Sequence, residues 1–430
     1  MQRRYNFRIY PTLGQTLALA RAFGCARVVF NDALRARRDA HAAGRPYISD
    51  AALSKALTEM KKTPERAWLS RVSSVVLQQA LADLNTAYRN FFQSIIGQRG
   101  GARVGPPRYR SKKDNRQAIR FTRNAGFKLT PSGKLRLPKV GDVRVRWSRY
   151  LPSDPSSVTV IKDAAGRYFV SFVVEVADEP LPELPTDVGI DLGLATFAVM
   201  SDGKTIESPK FLRRAERRLR GAQQALCRKQ KGSVNRSKAR VRVAKIHARV
   251  RDARRDWLHK HTTTLIRDNQ AIYVEDLCVR GLARTRLAKS VHDAGWGQFT
   301  RLLEEKAARY GRVVIRVDRF YPSSQMCSAC GRVSGPKPLH VREWTCVCGS
   351  DHNRDLNAAL NILAAGRAER LNASQATGRH PRGVGGGRVR PGRPVPAPAD
   401  EAGTHRGATR GTVGIFTSEG AEDVKGSRCL

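Results

Sequence analysis

VGIDLGLATFAVM, residues 188–200, reads as a buried strand that carries an acid, Asp191. Eleven of its other twelve residues are apolar or glycine, on both parities, the pattern of a strand covered on two faces. An unpaired carboxylate is costly on such a strand, so Asp191 must be paired or bind a metal ion. Working outward, SDG at 201–203 turns the chain and GKTIES returns it, which predicts a hairpin. AIYVEDL, 271–277, repeats the oddity: an apolar strand that ends in Glu275 and Asp276. VVIRVD, 313–318, predicts a further strand, and residues 295–310 a helix. NRDLNAALNIL, 353–363, predicts a helix from about 354 to 370 with Asp355 near its start.

Three acids therefore fall at the ends of structural elements in a fixed order: strand–Asp191, hairpin, helix, strand–Glu275, helix, strand, helix–Asp355. That is the order found in RNase H-like nucleases. The chemistry such a trio suits is two-metal phosphoryl transfer, in which two divalent ions about 3.5–4 Å apart activate a water and stabilise the leaving oxygen. Mg²⁺ (or Mn²⁺) wants oxygen ligands and keeps several waters, so two or three carboxylates suffice. Taken singly, Asp191 could be a turn residue and Glu275 a surface strand end.

Between the hairpin and Glu275 lies a very basic stretch. Residues 211–260 hold 18 Lys/Arg against three acids, Glu216, Asp252 and Asp256. Sparse apolar positions fit one face of two long helices broken near Gly232. The whole chain of 430 residues has 79 Lys+Arg and 37 Asp+Glu, a net charge of +42. Self-repulsion of that size calls for a polyanion, either nucleic acid or an anionic membrane surface. A helix that spans a membrane is not expected, because no run of about 18 apolar residues occurs. The start, MQRRYNFRIY, has paired arginines with no apolar stretch behind them and is read as no export signal.

Four of the eight cysteines lie within 22 residues: Cys327, Cys330, Cys346 and Cys348. Two close pairs separated by a 15-residue loop predict one tetrahedral Zn²⁺ site in a reducing cytoplasm, structural because four thiolates leave no open position. The second pair is CxC, one residue short of the usual CxxC, which predicts a tighter chelate.

The amino-terminal half has a different pattern. QRRYNFRIY alternates Tyr5, Phe7 and Ile9 with polar residues as a strand does. Helices are predicted at 14–40, 50–60 and 70–96, and strands at 118–122, 127–130, 134–138, 143–147, 157–162 and 168–176. The segment 97–117, rich in Gly, Arg and Lys, suits a loop lying along phosphates. Residues 177–186, ADEPLPELPT, predict an acidic Pro-rich linker and the main domain boundary. Beyond 370 periodicity fades, so 371–430 is expected to be a disordered tail.

PSSQMCSACG, REWTCVCGSDHNRDLNAALNIL, VGIDLGLATFAV and DAGWGQFTRLLEEKAARYG resemble the TnpB (OrfB) family of transposon-encoded proteins. FRIYPTLGQ, GCARVVFNDAL and LQQALADLNTAYRNFF fit the same family, so the likeness covers roughly residues 1–365. The resemblance implies an α+β multidomain fold. A β-barrel would be built from 1–12 and 118–180, with a helical recognition lobe, 13–117, inserted. A RuvC-like nuclease domain, 187–370, would carry a zinc-ribbon-like insertion at 319–350. It also implies an RNA-guided DNA endonuclease related to compact type V CRISPR effectors, with Asp191, Glu275 and Asp355 as catalytic metal ligands. The partners implied are a guide RNA from the transposon end and double-stranded target DNA, held by a monomeric protein in a cytoplasmic, nucleoid-associated ribonucleoprotein. Gln78 is similar to a position facing the DNA motif that the protein reads. Asn353 departs from the family, which has an acid there. Two other readings fit a nuclease-like sequence: a silent RNA-guided binder, and a transposase or accessory DNA-binding protein that works without RNA.

Overall fold

The computed structural model describes residues 1–114, 116–338 and 340–377. Its amino-terminal half is one sheet with helices inserted after the first strand. Strand β1 (Gln2–Tyr10) leads to helices α1 (Leu13–Ala42), α2 (Asp50–Met60) and α3 (Ser74–Ile95), with a short 3-10 turn at Ala67–Arg71. Strands β2 (Gln117–Thr122), β3 (Lys128–Leu129), β4 (Lys134–Leu137), β5 (Gly141–Arg146), β6 (Ser157–Lys162) and β7 (Tyr168–Glu175) follow. Pro11 cannot continue a ladder, and Thr12 starts α1 with a capping box. The Thr12 hydroxyl accepts from Gln15 N at 3.4 Å, and Gln15 Oε1 accepts from Thr12 N at 3.0 Å. In α1 Leu19, Phe23, Ala26, Phe30 and Leu34 are buried at helical spacing and share one core with Val76, Leu77 and Leu84 of α3 and with Phe7, Phe121 and Phe172 of the sheet.

The sheet order is β2-β6-β7-β1-β5-β4-β3, antiparallel throughout. The expected barrel is not closed by hydrogen bonds: β2 and β3 are edges that pair with one neighbour each. Strand β3 has only two residues, and α1 and α3 pack against β2. A helix can cover an edge as well as a strand can.

Part of the basic loop 97–117 is fastened down. The Asn31 side chain exchanges two hydrogen bonds with the Arg110 backbone, at 2.8 and 2.9 Å, and the Arg110 guanidinium lies over Phe30 and pairs with Asp83. Arg110 is therefore a packing residue and not a free phosphate contact.

The carboxyl-terminal half is a second sheet, β10-β9-β8-β11-β12. Its strands are β8 (Asp187–Leu192), β9 (Thr196–Met200), β10 (Thr205–Glu207), β11 (Ala271–Glu275) and β12 (Val313–Val317). The first three form an antiparallel meander; β8, β11 and β12 run parallel. Helices α4 (Phe211–Cys227) and α5 (Val234–Asp268) precede β11, and α6 (Val279–Leu282), α7 (Ala288–Ala294) and α8 (Trp296–Tyr310) precede β12. A two-stranded ribbon, β13 (Glu343–Thr345) with β14 (Asp351–Asn353), leads into α9 (Arg354–Thr377). Helix α9 runs past residue 370, where the tail was expected to begin. The rest of that tail, 378–430, lies outside the described residues.

The two faces of this sheet have different partners. Val188, Ile190, Ile272 and Val274 pack against Leu258, Leu265 and Ile266 of α5 and Phe299 and Leu303 of α8. The alternate residues turn to α9, where Tyr273 packs with Ile362. Helices α4 and α5 form the basic hairpin, and of the 18 Lys/Arg side chains in residues 211–260 all but Arg236 and Arg254 are exposed. Asp293, buried in α7, accepts from the backbone N–H groups of Leu212 and Arg213 and so caps α4 from a distance. Among the described residues no helix is long and apolar enough to cross a membrane.

Candidate active site and metal centre

Strands β8 and β11 lie side by side in parallel, with Tyr273 opposite Gly189 and Val274 opposite Ile190. One residue further, Asp191 and Glu275 become neighbours. Side chains alternate along a strand, so Gly189, Asp191, Tyr273 and Glu275 all point to the α9 face. Helix α9 crosses that face in direct contact. A Cβ on Gly189 would lie 2.2 Å from the Ala359 carbonyl oxygen, and one on Gly366 would lie 2.1 Å from the Tyr273 ring. These two glycines let helix and sheet touch, and the crossing carries the first turn of α9, with Asp355, to the end of β8.

The three acids are half-buried. Burial, and then the charges of Glu275 and Asp355, push the Asp191 carboxyl up to about 7. Burial and the adjacent Asp276 raise Glu275 as well. Asp276 behaves differently: Arg319 and Arg316 pair with it and hold it below the usual range. The sequence offered both acids at the end of β11. Strand parity gives Glu275 to the trio and Asp276 to an ion-pair cluster.

Two further side chains complete the site: Arg342, which the sequence did not single out, and Asn353, which it did only as a departure from the family pattern. Arg342 Nη1 donates to both Asp355 oxygens, at 3.0 and 3.1 Å. Nothing in the sequence separates this arginine from the other basic residues; its backbone carbonyl, which accepts from Arg354 N at 2.7 Å, places it. Asn353 Oδ1 accepts from the backbone N–H groups of Asp355 and Leu356, at 3.2 and 3.1 Å, and so caps α9. The residue that departs from the family pattern thus orders the turn that bears Asp355.

The four cysteines converge. Their sulfurs lie within 4.8 Å of one another, with Cys327–Cys348 and Cys330–Cys346 each at 3.7 Å. A tetrahedral Zn²⁺ with bonds near 2.3 Å needs sulfur–sulfur edges of about 3.8 Å. The set therefore fits a zinc ion. The short CxC spacing is no obstacle, because the chain turns tightly behind it. Gly349 takes φ +87° and donates to the Cys346 carbonyl, and Cys346 N donates to Ser350 O at 2.8 Å. His352 Nε2 lies 3.0 Å from Cys327 Sγ, just outside the cluster.

Gln78 sits elsewhere, on α3, where it shares hydrogen bonds of 3.1 and 3.3 Å with Ser54 of α2. The fold does not bring it to the carboxylates.

Residues 171–286 match the family described as "Probable transposase" (OrfB of IS605), and residues 296–362 match a "Cas12f1-like, TNB domain". Residues 1–46, which fold as β1 and α1, match the "Helix-turn-helix domain" of the OrfB group. A protein of Streptomyces pristinaespiralis named "Putative RNA-guided DNA endonuclease" is 46% identical over 372 residues, 86% of this chain and 90% of the relative. "Putative RNA-guided DNA endonuclease InsQ" of Escherichia coli K12 is 33% identical over 383 residues, 85% of this chain and 92% of that one. Among solved structures, a Cas12f1–sgRNA–target DNA complex aligns with a TM-score of 0.49 at 13% identity, covering 80% of this chain and 82% of that one. At 46% identity across 86% of its length, the chain belongs to the OrfB (TnpB) family of transposon-encoded proteins.

Proposed function

We propose that the protein is an RNA-guided DNA endonuclease whose carboxyl-terminal half is a RuvC-like nuclease domain with a zinc-ribbon-like insertion. The observation that carries this reading is the convergence of Asp191, Glu275 and Asp355 on one face, crowded enough to raise Asp191 to about 7. Such crowding has a use when divalent cations occupy the space between the acids. The names of the two bacterial relatives support the same activity.

When bound, Mg²⁺ or Mn²⁺ supplies an activated water and stabilises the leaving oxygen of the scissile phosphodiester. Asp191 and Glu275, on adjacent strands, and Asp355, from across the helix–sheet contact, hold the ions. Arg342 holds the Asp355 carboxylate in place beforehand. The exposed cations of α4 and α5 bind backbone phosphates of a guide–target heteroduplex without reading sequence.

The test is to produce the protein together with the DNA that flanks its gene, sequence the RNA that co-purifies, and supply matching DNA. A defined RNA that directs double-strand cuts at its complement, next to a short fixed motif, is the expected result. DNA joining or cutting without RNA would instead support the transposase reading, and bound RNA without cutting the silent binder.

Acidity supplies a second prediction. Below about pH 7 Asp191 keeps its proton, and an incoming divalent ion must displace it. The half-saturating Mg²⁺ concentration is expected to rise by up to about tenfold for each pH unit below 7 and to be level above it. Cleavage rates titrated with Mg²⁺ from pH 5.5 to 8.5 check this.

A further inference from the structure

Helix α9 carries two asparagines that the carboxylate chemistry does not use. Asn357 and Asn361 lie one turn apart in an otherwise apolar run, and only 1% and 3% of their surfaces are exposed. Buried amides must find partners, and these find theirs in one place. Asn357 Nδ2 donates to the carbonyls of Met326 and Ser323, at 2.7 and 3.4 Å, and Asn361 Nδ2 donates to the same two carbonyls, each at 2.8 Å. Asn357 Oδ1 accepts from Ser328 N at 2.9 Å. The residues on both sides of Cys327, the first ligand of the four-cysteine site, are thus bolted to α9. The ribbon ties the same segments again: β13 pairs with β14, Arg354 N donates to Arg342 O, and His352 reaches Cys327 Sγ. Asp355 lies two residues before Asn357.

We propose that Asn357 and Asn361 are positioning residues that carry the ligation state of the four-cysteine site to the Asp355 carboxylate, so that a thiolate-bound metal sets how well the acid trio holds its divalent ions. The proposal rests on the nuclease reading above. Its physical basis is that a loop held at Cys327 by a metal has fixed carbonyl positions. Two amides that grip those carbonyls fix the rotation and axial position of α9. Without the metal the loop relaxes, and the amides transmit that relaxation. Groups one shell removed from a metal ligand typically change metal affinity by about 10–100-fold.

The test uses the protein with its guide RNA bound and the Asn357→Asp/Asn361→Asp variant, which keeps size but replaces each donor with an acceptor. Three quantities are read: zinc content and its rate of loss to a chelator, the half-saturating Mg²⁺ concentration for cleavage, and retention of guide RNA. The expected results are a half-saturating Mg²⁺ raised about tenfold in the zinc-loaded variant, a near-parental rate at saturating Mg²⁺, and full RNA retention. Stripping zinc from the parent should raise its Mg²⁺ requirement similarly, while stripping the variant should add little, because one linkage cannot be broken twice. The proposal is overturned if the variant's Mg²⁺ requirement is unchanged, if its saturated rate falls without a change in that requirement, or if the effects of stripping and substitution simply multiply. Should zinc removal unfold the parent, the Mg²⁺ titration of the zinc-loaded variant decides alone. A parent protein that does not cut guide-matched DNA at any Mg²⁺ concentration would overturn the nuclease reading instead.

Discussion

Replacing Asp191 by Asn is expected to lower guided DNA cleavage by on the order of a thousandfold or more, and at the same time to make the folded protein more stable at pH 8. The two effects have one cause. Asp191 is withdrawn from water, Glu275 and Asp355 place charge beside it, and its pKa is raised from 3.8 to about 7. The folded state therefore binds more protons than the unfolded chain between those values, and folding loses stability as pH rises from about 4 to about 7. Above 7 the loss is fully present; below about 4 it vanishes. Asparagine has the same shape and no charge, so it removes the loss and with it a ligand for the divalent ions. Thermal midpoints of the two proteins, measured without added divalent ions, should coincide near pH 4, separate up to about pH 7 and keep that separation to pH 8. Added Mg²⁺ should then raise the parent's midpoint and leave that of the variant almost unchanged. Midpoints that stay parallel across the whole range would mean that the acids do not repel one another. Cutting by the variant would remove Asp191 from the site.

The legibility of this site in the sequence differs residue by residue. Asp191 stands out because an apolar strand has no ordinary place for a carboxylate. Cys327, Cys330, Cys346 and Cys348 stand out because thiols rarely cluster without a metal. Glu275 was placed in the trio from the sequence although Asp276 stands beside it, and the parity of β11 gives the reason for the choice. Arg342 was not legible. It lies on an exposed stretch of a chain with 79 basic residues, and only the ribbon pairing brings it to Asp355. Asn357 and Asn361 did leave a signal: two amides at i and i+4 among Ala, Leu and Ile, on a helix with no other buried polar side chain among its described residues. A helical face that is both apolar and amide-bearing must meet backbone carbonyls somewhere. In the amino-terminal half, alternation and turns marked all seven strands within a few residues. Periodicity says nothing about whether edge strands meet, and there the helices α1 and α3 take the place of a closing pair.

Gly189→Ala is expected to have the second largest effect, and it acts without touching any charge. The added methyl would meet the Ala359 carbonyl oxygen at 2.2 Å, the Leu363 nitrogen at 2.6 Å and the Leu363 Cβ at 2.8 Å. Two of these atoms are backbone, so no side chain can swing aside and α9 itself must move off β8. Overpacking of this kind costs about 1–3 kcal/mol, or a thermal midpoint lower by several degrees. Activity should suffer more. Gly189 is two residues from Asp191 on β8, and Ala359 is one helical turn from Asp355, so the contact that fails is the one that brings the two carboxylates together. A misplacement near 1 Å can cost about a hundredfold in rate, and cleavage per folded molecule is expected to fall by that much. Gly366→Ala is the control. Its methyl would strike the Tyr273 ring at 2.1 Å, a comparable insult to the same helix–sheet contact. It lies eleven residues beyond Asp355, about 16 Å along the helix. Stability should fall by a similar amount in both variants, while the rate at saturating Mg²⁺ should fall much further in Gly189→Ala. Equal losses of rate would mean that α9 shifts as a rigid rod, and that the carboxylates depend on the whole contact rather than on its end at β8.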